Sequence, residues 1–375
     1  MASCSKFPKQ PKIPETTEDM ISSMPTEVTD KIMKRLPLKM AAKMSVLSRR
    51  WRRNWLSHRY LVFDKAFCEE HHKNGKVDLH KINNIISNIL FLHNGPMQVF
   101  HLYIPQESDN NISHNLSPWL FFLSIVGVKK ICIPNWSNLL TIPSHIYACK
   151  ELVKLRMEYY VVGIPPCEFK GFAHLRNLEL VDVEFKHGTL KSLIASCPQL
   201  KVLVLENSST GMNNVVIDAP RLEALTIRCA FKSLALENVP CVKSVIVCLH
   251  QTGEDSSNIE TVDAIKVLAS STELQCLQFE GQMCKLDSIK SGVKHKFDYN
   301  EDYKLGHLLK VRITGITGSS AEFKLIEYVL ATSVVLEKLF FNCACLDPSS
   351  ELKVSRELLQ LPRASPKAKL VCLEQ

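Results

Sequence analysis

The chain has 375 residues, of which 46% are hydrophobic and 22% are charged, so it has enough material for two or three folded domains. This composition excludes a wholly disordered or fibrous protein. The formal net charge of +8 is local, because residues 31–59 contain ten Lys or Arg and no Asp or Glu, whereas the rest of the chain has 36 basic and 38 acidic residues. We therefore expect a near-neutral body with one basic segment.

The polar, proline-rich N-terminus predicts a disordered lead over residues 1–18 rather than a signal peptide. The most apolar window, residues 119–128, is half as long as the roughly 20 residues that a membrane span needs. Together these features predict a protein of the nucleus and/or cytoplasm that has no membrane partner.

The sequence lacks the motifs of hydrolases, kinases and nucleotide-binding proteins. Residues 315–320 have the small side chains of a phosphate loop but not its lysine, which favours a turn between a strand and a helix. The fourteen cysteines are scattered without a C-x-x-C motif, and the Cys-Glu-Glu-His-His group at residues 68–72 has no second ligand pair. We expect buried, unpaired thiols, no metal, no cofactor and no catalytic site.

Residues 19–63 predict three short helices. The first has an apolar residue at every fourth position, on one face: Met24, Val28, Ile32 and Leu36. Pro37 ends this helix, and a second helix is expected over residues 39–44. The third helix has three apolar residues, again four apart: Leu47, Trp51 and Trp55. So small a unit has a marginal core, and we expect a partner to cover its two tryptophans.

The same segment matches a longer pattern of residue types. The matching residues are Asp19, Ile21, Ser22, Pro25, Glu27, Val28, Ile32, Leu36, Pro37, Lys39, Ala41, Ser45, Val46, Leu47, Ser48, Arg50, Trp51, Arg52 and Trp55. This pattern resembles the plant-type F-box, from which Met24 and Thr29 are the two departures. The resemblance implies docking onto a Skp-type adaptor and, through it, onto a cullin-based ubiquitin ligase. The residues expected to contact the adaptor are Met24, Pro25, Val28, Ile32, Leu36, Pro37, Val46, Ser48 and Trp51.

The basic segment at residues 31–59 has three interpretations. Its Lys and Arg side chains can be solvated at the rim of an interface, or they can steer the module towards an acidic adaptor. They can also neutralise the phosphates of a nucleic acid, which we rank last.

One pattern, apolar-x-x-apolar-x-apolar, recurs ten times between residues 99 and 341. The matches are Val99-Leu102-Ile104, Val128-Ile131-Ile133, Leu152-Leu155-Met157, Leu175-Leu178-Leu180, Leu200-Leu203-Leu205, Leu222-Leu225-Ile227, Val242-Val245-Val247, Leu274-Leu277-Phe279, Leu308-Val311-Ile313 and Leu336-Leu339-Phe341. They begin 20–34 residues apart, mostly within the 20–29 residues typical of leucine-rich repeats.

Each match predicts a short strand that needs its neighbours to complete a core. The fold class is therefore α/β, and residues 64–305 are expected to form a leucine-rich-repeat solenoid with a parallel sheet on its concave side. The longer intervals predict insertions near residues 250–270 and 282–306.

The residues between the leucine positions are expected to face the concave surface, where a target protein would bind. They are Lys154, Arg156, Glu158, Asn177, Glu179, Glu206, Thr226, Arg228, Gln278 and Glu280. Both charge signs and several amides are present, which suits a protein surface or a small polar ligand better than nucleic acid.

Residues 306–375 predict the order strand, helix, strand, helix, strand. This segment resembles the FBD module that closes plant F-box/leucine-rich-repeat proteins. The matching stretches are Val311–Gly318, Val335–Lys338, Glu357–Leu359 and Pro362–Pro366, together with Leu92–Pro96, which looks like the segment that joins the F-box to the repeats.

The leading hypothesis is a non-catalytic substrate receptor of a Skp–cullin–F-box ubiquitin ligase. The F-box would dock on the adaptor while the solenoid holds a target protein. Two alternatives stay open, a leucine-rich-repeat scaffold without ligase coupling and a nucleic-acid-binding protein that uses residues 31–59.

Overall fold

The computed structural model describes residues 24–73, 76–106, 111–186, 188–206, 214–229, 233–249, 273–281, 305–343 and 347–373. The predicted lead at residues 1–18 and the predicted insertion near 250–270 lie outside these ranges, as does the insertion near 282–306 except for its last two residues. No helix among the described residues has the length and apolarity needed to cross a membrane.

A sheet of twelve parallel strands forms the body of the protein. In spatial order its strands are β1 (Tyr60–Phe63), β4 (Val99–Leu102), β5 (Lys130–Pro134), β7 (Lys154–Glu158), β9 (Asn177–Val181), β11 (Val202–Glu206), β13 (Ala224–Arg228), β15 (Ser244–Leu249), β16 (Cys276–Gly281), β17 (Lys310–Ile313), β18 (Lys338–Phe341) and β19 (Lys369–Cys372). All ten strands that the repeat pattern predicts are present, which confirms the α/β solenoid.

The alternation of side chains divides this sheet into a buried face and an open face. On β7, Leu155 and Met157 are buried, whereas Lys154, Arg156 and Glu158 lie on the open face and are half-buried. Because neighbouring strands are parallel and in register, equivalent residues form rows across the sheet, as Leu155, Leu178 and Leu203 do on the buried face. This continuous apolar face is the core of the protein.

A second layer of helices and short strands covers the buried face. The helices are α4 (Lys65–Glu69), α5 (Leu79–Leu92), α6 (Asn111–Ile125), a 3₁₀ helix (Ser144–Ala148), α7 (Thr189–Ala195), α8 (Ser320–Thr332) and α9 (Pro348–Gln360). The short strands are the hairpin β2 (His72–Lys73) and β3 (Lys76–Val77), the group β6 (Leu140–Thr141), β8 (Tyr160–Val162) and β10 (Glu184–Phe185), and the pair β12 (Asn214–Asp218) and β14 (Ser233–Glu237).

Three helices precede the sheet: α1 (Thr26–Arg35), α2 (Leu38–Met44) and α3 (Arg49–Leu56). They form a helical module with a small core of its own around Met33, Ala41 and Trp51. Pro25 and Pro37 precede the first two helices, and the Ser48 side chain caps the third. These three helices correspond to the three predicted ones, and their bounds differ from the prediction by a few residues.

The first predicted repeat is placed two residues too late. Val99 lies on the open face, and the buried residues that are equivalent to Val128 and Ile131 of the next repeat are Met97 and Phe100. The pattern matches at Val99 only by coincidence, because the pattern counts every valine as apolar and does not distinguish the open face from the core.

An additional repeat precedes the ten predicted ones. Strand β1 lies inside the segment assigned to the F-box, residues 19–63, but it pairs with β4 and is the first strand of the sheet. Its buried residues are His58, Leu61 and Phe63, so a histidine occupies the position that an aliphatic residue fills elsewhere. The ring of His58 lies between those of Trp55 and Tyr60, at centroid distances of 6.0 and 6.1 Å.

The segment Leu92–Pro96, which lies between α5 and β4, contacts the end of the helical module. Asn94 donates its N–H to the carbonyl of Leu56 at the end of α3, at 2.6 Å. Gly95 has a φ of +144°, and a Cβ there would approach the Cβ of Ser57 at 3.3 Å. A close approach of backbone to α3 therefore requires glycine at this position.

The C-terminal segment extends the sheet instead of forming a separate domain. Strands β17, β18 and β19 alternate with α8 and α9, as predicted, and β17 pairs with β16 of the repeats. Between β17 and α8, the buried carboxylate of Glu322 accepts hydrogen bonds from the N–H groups of Thr317 and Ser319, at 3.1 and 2.8 Å. The chain's own carboxylate fills the anion-binding turn, which confirms a structural turn at residues 315–320.

Protonation of His58 is predicted to destabilise the protein. Burial, with a smaller contribution from His93, lowers the pKa of His58 from its ordinary value of 6.5 to about 4. Between these values the unfolded chain binds more protons than the folded protein, so this contribution to stability is complete above pH 6.5 and falls with the pH, by about 2 kcal/mol at pH 5. The midpoint of thermal unfolding between pH 7 and pH 5 measures it.

The variant His58→Leu restores the apolar residue of the repeat and should flatten this pH profile. Part of the slope should remain, because burial also lowers the pKa of His93. His80→Leu, at an exposed position on α5, is the control and should keep the wild-type profile. A His58→Leu profile as steep as the wild type's would contradict the assignment.

Candidate functional site

The helical module exposes apolar side chains that its own core does not use. Val46 is 79% exposed and Leu47 is 64% exposed in the turn between α2 and α3, while Val28 on α1 and Met40 on α2 are 41% and 47% exposed. Hydrophobic side chains concentrated on so small a unit indicate a protein-binding surface. Leu47 and Met40 are absent from the predicted adaptor contacts.

Eight of the nine predicted adaptor contacts are at least partly accessible. Pro25, Val28, Pro37 and Val46 are exposed, and the half-buried ones are Met24, Ile32, Leu36 and Ser48. Ile32 and Leu36 also pack against the core of the module, so they have a structural role. Their contact with an adaptor stays a prediction.

Trp51 corrects the prediction, since it belongs to the core of the module. It is 2% exposed and packs with Met33 and Ala41, so it has almost no surface to offer a partner. The backbone N–H of Trp51 donates to the Oγ of Ser48 at 3.3 Å. This cap starts α3 at Arg49 and leaves Leu47 in the preceding turn. The serine cap was the signal in the sequence that could have separated the exposed Leu47 from the buried Trp51.

Thr29, a departure from the F-box pattern, is accommodated inside the module. Its side chain is 1% exposed, and its hydroxyl donates to the carbonyl of Thr26 at 2.9 Å. A buried hydroxyl that has a partner avoids most of the cost of burial, so Thr29 need not weaken the packing of α1.

Several residues of the basic segment contact the chain itself. Lys39 pairs with Glu70, the residue after α4, at 2.9 Å. Arg59 lies 3.7 Å from Asp30, and Lys34 lies over the ring of Tyr60 at 4.8 Å. Lys39 and Lys34 therefore connect the helical module to the start of the sheet. This role was not among the three interpretations of the basic segment.

An apolar groove of about 390 Å³ lies where the module meets the first repeats. Its lining residues are Leu38, Lys39, Ala42, Lys43, Val46, Trp55, Phe67, His71, Ile85 and Ile89. Val46 belongs both to this groove and to the exposed turn, so the apolar surface of the module continues towards α4 and α5.

The ten predicted target-binding residues all lie on the open face and are half-buried. Four of them form an ion cluster on β7 and β9, in which Glu179 accepts from Lys154 at 2.5 Å and from Arg156 at 3.3 Å. Arg156 also lies 3.6 Å from Glu158. The charges of this cluster cancel, so it presents an oriented but neutral surface.

A second cluster extends from β11 to β16 and includes a contact between β13 and β16, which are not adjacent. Arg228 on β13 lies 2.8 Å from Glu206 on β11 and 3.4 Å from Glu280 on β16, and Gln278 donates to Glu280. Asn177 and Thr226 share the open face outside these pairs.

Beside the second cluster, the open face is uncharged at the first two open-face positions of β11, β13 and β15. Its half-buried residues there are Val202, Val204, Ala224, Thr226, Ser244 and Ile246. The strand alternation alone could have identified this patch, of which the prediction included only Thr226.

The described residues contain no group of three or more His, Cys, Asp and Glu side chains that could hold a metal ion. Burial raises the pKa of the Cys68, Cys149 and Cys197 thiols to about 12, which suits small core side chains better than nucleophiles. Cys167 and Cys372 are exposed, contrary to the expectation of buried thiols.

The sequence is similar to two protein families along different parts of its length. A model of the F-box domain matches residues 21–63, and a model of the leucine-rich repeats of the FBD-associated F-box protein At5g56370 matches residues 116–269. The F-box match covers the helical module together with β1.

Curated proteins of Arabidopsis thaliana are similar to this chain over lengths that range from about half of it to nearly all of it. The F-box/FBD/LRR-repeat protein At1g13570 is 26% identical over 95% of this chain and 99% of its own length. F-box/LRR-repeat protein 13 is 24% identical over 95% of this chain and 96% of its own length. The FBD-associated F-box protein At4g10400 is 29% identical over 56% of this chain and 50% of its own length.

An F-box followed by a leucine-rich-repeat sheet defines the class of ubiquitin-ligase substrate adaptors, and an F-box in general implies a Skp-type partner. Over nearly its whole length, the chain is similar to plant F-box/FBD/leucine-rich-repeat proteins.

Loss of the charge of Glu179 is expected to change folding stability little. Glu179→Gln removes two ion pairs whose basic partners remain accessible to water, and such pairs each contribute about 0–1 kcal/mol. The free energy of unfolding in urea should therefore change by less than about 2 kcal/mol. A loss of several kcal/mol would show that the cluster supports the sheet.

Proposed function

We propose that the protein is a substrate receptor of a Skp–cullin–F-box ubiquitin ligase in the nucleus and/or cytoplasm. The helical module docks on the Skp-type adaptor, and the open face of the sheet holds a target protein. The protein does no bond chemistry itself. It raises the effective concentration of the target near the ubiquitin-carrying enzyme and orients it.

The observation that carries this proposal is the exposed apolar turn of the helical module. Val46 and Leu47 are exposed although the module has a separate core around Trp51. Contact of these apolar side chains with water is unfavourable in free energy. A partner that covers them removes this contact.

Substitution of the turn is expected to separate binding from folding. The double variant Val46→Ala with Leu47→Ala should lower affinity for a Skp-type adaptor at least tenfold and leave thermal stability unchanged, because both side chains are exposed. Co-expression of the full chain with the adaptor, followed by co-purification and titration, measures the affinity. Phe91→Ala is the matched control, since Phe91 is 86% exposed on α5 outside the module.

Trp51→Ala is expected to give the opposite combination. Removal of this buried side chain should destabilise the module by about 3–5 kcal/mol and weaken adaptor binding only through unfolding. If the wild-type chain forms no complex with the adaptor, the proposed function is wrong. If the double variant binds as well as the wild type, the function stands and the assigned surface is wrong.

A further inference from the structure

Four cationic side chains lie together on the open face at the C-terminal end of the sheet. Lys310, Lys338 and Lys369 begin β17, β18 and β19 and are in register with one another. Arg312 lies two residues further along β17, and all four side chains are exposed. Because adjacent strands are about 4.8 Å apart, the three lysines form a row about 10 Å long. We call Lys310, Lys338 and Lys369 the lysine row.

The lysine row gathers three adjacent cations that have no internal counter-charge. Within the described parts of the chain, none of its members is in an ion pair, whereas Lys154 and Arg228 are paired with glutamates. Glu337, which precedes Lys338, is exposed and also forms no ion pair there. Like charges on directly opposed residues destabilise a sheet, so the row lowers the stability of the isolated chain.

Protection of a sheet edge explains one of these lysines only. Lys369 lies on β19, which is the last strand, and a lysine there discourages pairing with other chains. Lys310 and Lys338 lie on inner strands that already have partners on both sides. Their positions therefore need another explanation.

Beside the lysine row the surface becomes partly apolar. The guanidinium of Arg312 lies over the ring of Phe340 at 5.5 Å, and Val371 is the next residue in the same row. The ring fixes the position of the guanidinium through a cation–π contact. The open face thus offers four cations next to half-buried apolar groups at a fixed spacing.

We propose that this surface binds a short acidic segment of the target protein, in which carboxylates adjoin an apolar residue. The carboxylates pair with the lysine row and Arg312, and the apolar residue packs on Phe340 and Val371. The inference rests on the proposed function, because it names the chemistry of the target that the receptor holds.

A short acidic peptide fits this surface better than nucleic acid. Glu280 lies on β16, directly beside β17, and Glu206 and Glu179 lie further along the open face. A polyanion that extended across the sheet would approach these glutamates, whereas a segment of a few carboxylates would end before them.

The test uses a labelled ten-residue peptide with four consecutive glutamates followed by two leucines, and a second peptide with glutamines in place of the glutamates. Both are titrated at low salt against the full chain in complex with the adaptor, or against the full chain alone if no complex forms. The glutamate peptide should bind at least tenfold more tightly than the glutamine peptide. Lys338→Glu should weaken its binding at least tenfold.

The matched control is Lys130→Glu. Lys130 begins β5 in the same row position of the sheet and is exposed, but it lies far from β17–β19. The same change of charge there should alter binding of the glutamate peptide less than twofold. Equal losses of peptide affinity in Lys338→Glu and Lys130→Glu would show that the peptide binds through general charge attraction, and this would overturn the proposal.

A stability measurement distinguishes loss of the site from loss of the fold. Lys338→Glu replaces repulsion within the lysine row by attraction, so it should raise the midpoint of thermal unfolding by about 1–2 °C while it weakens peptide binding at least tenfold. A lowered midpoint together with lost binding would overturn the proposal, because the variant would then act through misfolding.

Two further outcomes overturn the inference. One is equal affinity for the glutamate and glutamine peptides. The other is tighter binding of a twelve-nucleotide oligothymidine than of the glutamate peptide, together with loss of oligothymidine binding by the Lys338→Glu variant. This result would assign the surface to nucleic acid. Adaptor binding by Lys338→Glu should equal that of the wild type, so failure to bind the adaptor and failure to bind the peptide are separate results.

Discussion

The parallel register of the twelve-stranded sheet is the constraint on which the other features of the protein depend. Each strand has only two or three buried side chains, so a single repeat cannot exclude water from them. Stacking in register lets every buried row continue into the next strand, and the second layer of helices and short strands closes it. The same register brings open-face residues from distant parts of the sequence together, as in the contacts of Arg228 with Glu206 and Glu280.

The helical module shares this continuity through β1 and the segment that precedes β4. His58 takes an aliphatic position of the first repeat and also contacts the last turn of α3, so the junction is part of the core and not a free linker. Lys34 and Lys39 reinforce it from the side of the module. An adaptor bound to the module would therefore hold the sheet in a defined direction.

The strands were predictable from the sequence because their pattern repeats, whereas the residues at the ends of the pattern were not. The ten predicted strands are present, but the first match was displaced to Val99, and β1 was missed because His58 breaks the apolar pattern. In the helical module, spacing alone could not show that Trp51 faces inward and Val46 outward. The lysine row could not be predicted from the sequence, because its members are 28 and 31 residues apart and become neighbours only when β17, β18 and β19 pair.

The division of the sheet into two faces has a consequence for how such a protein can change. Side chains on the open face occupy a grid with steps of about 4.8 Å across strands and about 7 Å along them. A substitution at one grid point alters the chemistry of that point and leaves the buried rows untouched. Recognition can therefore diversify by single substitutions without a loss of folding, and one scaffold can serve many different targets.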